Sequence, residues 1–222
     1  NLNTFSIGFE DQNYDETYFQ NLLSKKLGVE HHHYNFKYKD IAKYFPDVVN
    51  HAETVLFRCA PVPLFCLSYS VNKFGYKTVM SGEGADELFW GYDTFRELFI
   101  RLIWSKNPNS NWRPEQLKKI FSYFIQYKDN RYFNFLKAFY KKTLQNTEDS
   151  FYSHLPRWST NNSNLNFINE ELLNDISKTI SAKNISDILP EAFNDFDHFQ
   201  KCQAIEMITL LSGYLLSSQG DR

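Results

Sequence analysis

The first ninety or so residues alternate short apolar stretches with helix-like spacing. Thr4-Phe5-Ser6-Ile7-Gly8-Phe9 alternates with period two and runs into the acidic, turn-prone Glu10-Asp11-Gln12-Asn13, which predicts a strand ending in a turn. Asp15 or Asn13 can cap a helix through Leu27, with Tyr18, Leu22, Leu23 and Leu27 at helical spacing and Gly28 as its stop. His31 to Phe36 reads as a second strand. Tyr38 to Ala52 and Pro63 to Asn72 read as helices, and Tyr76 to Met80 as a third strand opening into Ser81-Gly82-Glu83-Gly84-Ala85-Asp86-Glu87. Strands separated by helices imply a parallel sheet with helices on its faces. Near residue 97 the texture changes, and the chain divides into 1–97, an α/β part, and 98–222, a helical part. Apolar stripes there are Leu117, Ile120, Phe121, Phe124, Ile125; Phe133, Leu136, Phe139, Tyr140; Leu172, Leu173, Ile176; and Phe199 to Leu216. Polar breaks fall at Ser105 to Asn111 and Thr160 to Asn164.

Composition narrows the function classes. Of 222 residues 42% are hydrophobic and 18% aromatic, enough to bury a core. Mean hydropathy is -0.50, and the longest apolar run, Met207 to Leu216, is far short of a membrane span. Lys and Arg number 24 against 26 acids, so no whole-protein field steers the chain to nucleic acid or anionic lipid. The three cysteines (Cys59, Cys66, Cys202) form no CxxC pair, which fits reduced thiols in a cytoplasmic protein. The N-terminus has no signal-peptide pattern and no Met, and the chain reads as a piece of something longer.

Chemistry concentrates in Lys77 to Tyr92, just beyond a predicted strand end, where open α/β sheets bind ligands. Gly82 and Gly84 permit close backbone approach and an anion-binding nest, with Glu83, Asp86 and Glu87 beside them. Amides on phosphate and a carboxylate on a hard cation would suit a magnesium–nucleotide. An ordinary strand-to-helix turn, with acids at a helix N-terminus, accounts for the same spacing. Spacing alone does not separate the two.

The wording of the motif does. Ser81-Gly-Glu-Gly-Ala-Asp-Glu-Leu-Phe-Trp-Gly-Tyr92 closely resembles the signature of the asparagine synthetase (glutamine-hydrolysing) family, in its C-terminal ATP-pyrophosphatase (synthetase) domain. Phe5-Ser-Ile-Gly-Phe-Glu-Asp with Tyr14-Asp-Glu, Leu27-Gly28 leading to His31-His32, Pro63-Leu-Phe-Cys-Leu-Ser68, His154-Leu-Pro-Arg-Trp158 and Leu215 to Arg222 resemble further family segments in the expected order. The resemblance implies an α/β fold with a parallel sheet of the adenine-nucleotide α-hydrolase (HUP/PP-loop ATPase) type and a helical C-terminal half. It implies ATP binding at Ile7 (adenine), Ser81 and Gly82 (phosphate or ribose), a catalytic Glu83, and Asp86 on Mg2+. The family's reaction is adenylation of a side-chain carboxylate, typically that of aspartate, with release of pyrophosphate. Ammonia from a glutaminase domain then gives asparagine or a related amide with release of AMP. A homodimer is possible, and neither nucleic acid nor a membrane is an expected partner.

Several family features are not in this sequence: the Ser-Gly-Gly-x-Asp-Ser pyrophosphate loop after the first strand, the glutaminase domain with its N-terminal cysteine, and a downstream lysine. The first strand would lie between Thr4–Phe9 and Tyr76–Met80, so the segment alone is expected to fold poorly and to be inactive. Alternatives are a catalytically incomplete nucleotide-binding or scaffold module, or a family variant such as a β-lactam or lasso-peptide cyclase. Arg58 is a candidate carboxylate clamp or an ordinary loop ion pair. His31-His32-His33 suits a sheet position better than a metal, because alternate side chains on a strand face opposite ways. Cys59 and Cys66 are expected in packing, and Tyr92 and Arg96 to support the site from a following helix.

Overall fold

The computed structural model describes residues 2–12, 14–53, 55–121, 129–173 and 182–219. The chain forms two compact units, Asn1–Gly82 with Ser212–Arg222, and Glu83–Leu211.

In the first unit, β1 (Asn3–Phe9) and β2 (Glu30–Phe36) pair in parallel, from Asn3 opposite Glu30 to Phe9 opposite Phe36. The period of two sorts the faces. Phe9, Ile7, Tyr34 and Phe36 pack with Val48, Val62 and Cys66 of α2 (Tyr38–Ala52) and α3 (Pro61–Lys73). The opposite face carries Thr4, Ser6 and Gly8 opposite His31, His33 and Asn35, and is polar. Against it lies α1 (Thr17–Leu27), whose Gln20 Nε2 donates to the Ile7 carbonyl at 3.0 Å and whose Ser24 is buried. A helix seated on a polar face turns its polar stripe inward. Tyr18, Leu22, Leu23 and Leu27, whose spacing predicts the helix, are therefore exposed.

The predicted starts and stops follow local chemistry. Gly28 takes φ +64 and ends α1. Asp15 does not cap α1 by its side chain; it accepts from the Phe9 amide (3.1 Å) and Thr17 Oγ1 (2.6 Å) and so fixes the turn after β1. These bonds lower its pKa, the Thr17 hydroxyl most. The helix expected from Pro63 starts at Pro61, also a first-turn proline.

Tyr76–Met80 departs from expectation. It has no ladder partner among the described residues, and the sheet there has two strands. Its first side chain reaches the sheet: Tyr76 packs edge-on against Phe5, and its hydroxyl meets Asn3 Nδ2 at 2.5 Å, while Val79 and Met80 are exposed. Strand pairing needs a neighbouring strand, and in this two-stranded sheet β1 and β2 pair only with each other.

The second unit is helical. Here α4 (Ala85–Phe89) precedes α5 (Asp93–Ser105), which serves two cores. Phe95 and Leu98 pack with Tyr152 and Cys202, and burial drives the Cys202 thiol pKa up to about 12. Trp104 packs with Leu117 and Ile120 of α6 (Leu117–Ile120) and with Phe133, Leu136 and Tyr140 of α7 (Asn130–Lys141). Of the predicted stripes, Phe124, Ile125 and Ile176 lie outside the described residues. The polar break at Thr160–Asn164 is helical: α8 (Leu155–Asn161) continues as a tighter helix over Asn162–Phe167. Asp197 caps α9 (His198–Ile205), accepting from the Phe199 and Gln200 amides, and wide helical turns follow over Glu206–Leu215.

Buried charges in this unit have partners at some of their atoms, while Arg101 Nε and Glu87 Oε2 are buried without one among the described residues. Arg101, 1% exposed, donates to the carbonyls of Tyr152 (2.8 Å) and Ser153 (3.3 Å) and lies 4.0 Å over the Tyr152 ring. Glu97 accepts from Arg157 at 2.7 Å, and His154 Nε2 is 3.2 Å from Glu206.

Candidate functional site

Ile7 sits mid-strand in β1. Its side chain joins the apolar cluster while its carbonyl accepts from Gln20. Gln20 Oε1 is buried without a hydrogen-bond partner among the described residues. One strand position therefore offers its side chain to the core and its backbone to polar groups.

The Ser81–Tyr92 stretch is organised by its glycines, each for a different reason. Gly84 has φ +91, a left-handed conformation that a side chain would strain, and precedes the first turn of α4. Gly91 lies so close to Asp86 that a Cβ would collide with Oδ1. Gly82 is different: a Cβ would meet nothing within 4 Å, and its φ is not positive. The chain's own packing makes no demand for glycine at 82. Ser81 and Gly82 are exposed at the end of the first unit.

The three carboxylates do not form one group. Glu83 and Asp86 are exposed, whereas Glu87 is 1% exposed and accepts from the Tyr92 hydroxyl at 2.7 Å. Burial and then this bond raise the Tyr92 pKa well above the ordinary 10. From α9, Gln203 Nε2 donates to the carbonyls of Glu87 (3.1 Å) and Leu88 (2.9 Å), holding the end of α4. Trp90 takes φ +61 and stacks on Phe199 at 5.1 Å. Glu87, Tyr92 and Gln203 thus fix the short helix that carries Asp86. Tyr92, expected to support the site from a following helix, stands at that helix's N-cap and donates to Glu87. Arg96 instead pairs with Asp93 at 3.1 Å. Gln203 has no signature in the sequence, since its role comes from a segment 116 residues away.

Among the described residues, no three His, Cys, Asp or Glu side chains assemble as a metal cage. Mg2+ rarely uses such a cage and is commonly held by one or two carboxylates with substrate phosphates. A single exposed carboxylate at Asp86 fits that donor set. The histidine tract is a sheet feature. His31 Nε2 and His33 Nδ1 both lie within hydrogen-bond distance of Ser6 Oγ (3.0 and 3.1 Å), and His33 lies over Gly8 where a Cβ would clash. Arg58 is exposed, 5.6 Å from the Tyr214 ring centroid, with no ion pair among the described residues. Cys66 is buried in the sheet's core, whereas Cys59 is exposed and does not pack as expected.

Comparison with known proteins decides the family. The asparagine synthase family model matches residues 1–222. The chain belongs to the asparagine synthase family. It is 35% identical over 122 residues to asparagine synthetase [glutamine-hydrolyzing] 1 of Arabidopsis thaliana, covering 54% of this chain and 19% of the relative. It is 34% identical over 96 residues to asparagine synthetase [glutamine-hydrolyzing] 1 of Bacillus subtilis, covering 43% and 15%. Amidase chyE of Penicillium rubens is 32% identical over 118 residues, covering 53% and 17%. The chain thus matches about a fifth or less of the length of each of these family relatives. No solved structure matches. Among the described residues, no helix is long and apolar enough to cross a membrane.

Proposed function

We propose that this chain is part of an ATP-dependent amide-forming ligase. An aspartate-like carboxylate attacks the α-phosphorus of ATP, giving an acyl-adenylate and pyrophosphate. Ammonia derived from glutamine then attacks the acyl carbon and expels AMP, leaving asparagine or a related amide. Ile7 meets the adenine, Ser81 and Gly82 the phosphate or ribose, and Glu83 acts on the incoming nitrogen as general base or by orienting it. Asp86 would hold Mg2+, which supplies charge stabilisation as pyrophosphate leaves.

The observation that carries this reading is Gly82. Its neighbours Gly84 and Gly91 answer to backbone conformation and packing, whereas Gly82 answers to neither and stands beside open space. Close approach of a phosphate to the backbone is a reason for glycine that the unliganded chain does not display. The nucleotide α-hydrolase sheet belongs to the same proposal, with a further strand and its pyrophosphate loop beside β1. So does the division into an α/β part over 1–97 and a helical part over 98–222.

Substitution in the full-length enzyme tests it. Glu83→Gln should leave ATP affinity within about twofold and lower amide formation by about 10²–10⁴-fold, the range for an acid–base group. Asp86→Asn should instead weaken Mg2+-dependent ATP binding. Unchanged turnover in Glu83→Gln removes that residue from the mechanism. A second reading, a nucleotide-binding module without catalysis, is favoured by the exposure of both Glu83 and Asp86. ATP binding without any pyrophosphate release in the full-length protein would establish it.

A further inference from the structure

A second candidate site lies wholly inside the helical unit and is independent of the nucleotide reading. One side of α5 supplies Phe95 and Leu98 to the core. Another side, at Phe99, Ile100 and Ile103, is left facing a groove of about 520 Å3, whose far wall is Trp112, Arg113, Lys119 and Ile120. That volume is within the roughly 300–1,000 Å3 of small-molecule sites. Its floor is aliphatic, and two large aromatic side chains at its edge remain in solvent, Phe99 at 56% and Trp112 at 61% exposed.

The polar lining is three cations and the neutral amide of Gln116. Arg96, Arg113 and Lys119 border the groove, and no carboxylate does among the described residues. Arg96 is neutralised by Asp93, and Lys118, just outside, by Glu115 at 2.7 Å. Lys119 has no ion pair among the described residues, and Arg113 donates from Nη1 to the Ile103 carbonyl at 2.6 Å. Arg113 Nε is buried with no acceptor among them. Two positive charges beside an apolar trough select a ligand with the complementary division, an apolar body and an anionic head.

We propose that this groove binds a small amphipathic carboxylate, a medium-chain acyl or aryl acid, with its chain over Ile100, Ile103 and Ile120 and its carboxylate toward Arg113 and Lys119.

The test titrates full-length protein with decanoate, followed by calorimetry and by Trp112 emission, with decyltrimethylammonium as the oppositely charged probe of equal chain length. Decanoate should bind saturably below its aggregation concentration, at least tenfold more tightly than the cation. Lys119→Glu, at an exposed position, should weaken it about tenfold, the scale of one charge-assisted hydrogen bond. Trp112→Phe should abolish the emission change while calorimetric binding persists. Phe99→Asp should remove binding, with unchanged circular dichroism certifying the fold. Equal affinity for the two probes, no saturable binding, or indifference to Lys119→Glu overturns the proposal. So does tighter binding of an acidic amphipathic peptide than of decanoate, which would make the groove a protein-docking surface.

Discussion

The two units solve opposite packing problems. The α/β unit sets a helix on a polar sheet face, so hydroxyls and imidazoles meet inside and leucines face water. The helical unit buries full charges but closes around them: Arg101, Glu97 and Glu206 each have a partner, and its aromatic residues fill two cores. Burying a charge is tolerable when partners meet part of its hydrogen-bonding capacity, as the carbonyls of Tyr152 and Ser153 do for Arg101, and exposing an apolar stripe is tolerable where a polar contact has displaced it. Stability should therefore depend on specific pairs in the helical unit and on protonation state in the α/β unit.

The sharpest way to break that contrast is Arg157→Leu. It leaves the Glu97 carboxylate, 2% exposed, without its cation and with Tyr140 as a neighbour whose pKa burial and then Glu97 already raise. Loss of one partner of a buried pair costs about 3–5 kcal/mol, and the partial exposure of Arg157 places this case near 3. Urea denaturation measures it, and Glu97→Gln in the same background should restore part of the loss. A cost under about 1 kcal/mol would mean that Glu97 finds water instead.

The next effect belongs to the α/β unit. Burial, then His33 and His32, lower the His31 pKa below its ordinary 6.5. His31 lies between Thr4 Oγ1 (2.9 Å) and Ser6 Oγ (3.0 Å), with His33 on the same Ser6 oxygen and Asp15 held ionised nearby. The unfolded chain then takes up the proton first. Stability is fully present above pH 6.5 and falls as pH drops from there toward the folded pKa. Urea midpoints at about pH 7.5 and 5.5 should show that fall, and His31→Gln should flatten it. An unchanged slope in the variant would assign the effect elsewhere.

Much of this was legible in the sequence, and what escaped did so for physical reasons. Period-two alternation located β1 and Gly28 the end of α1, because these signals act within a few residues, whereas Pro63 marked the start of α3 two residues late. The motif at Ser81–Tyr92 carries the family resemblance in the sequence itself, since its residue types recur in order. Tyr76–Met80 has strand composition but no ladder partner among the described residues, and pairing is not a property of one segment. Glu87 reads like Glu83 and Asp86 in the sequence, yet Tyr92 and the fold around it make it a buried anchor. The orientation of α1 was hidden for a related reason: its leucine spacing reveals a helix, but the side that packs is chosen by the polar sheet face it meets.

That last point yields the smallest and most discriminating effect. Leu23 on α1 is 58% exposed, whereas Leu136 on α7 is 9% exposed in a core with Phe133 and Trp104. Leucine to glutamine changes helix propensity little, so the substitution isolates burial. Leu23→Gln should alter stability by no more than about 0.5 kcal/mol, as exposed substitutions do. Leu136→Gln removes buried apolar surface and places an amide in the core, and should cost several-fold more. The two variants make the same substitution on an exposed and on a buried helix face, so the cost at Leu23 set against that at Leu136 reads which face of α1 packs. If Leu23→Gln costs as much as Leu136→Gln, the leucine face of α1 is covered in the protein in solution. The polar contact between Gln20 and β1 would then be a secondary feature of a helix held from its other side, and the contrast between the units would disappear.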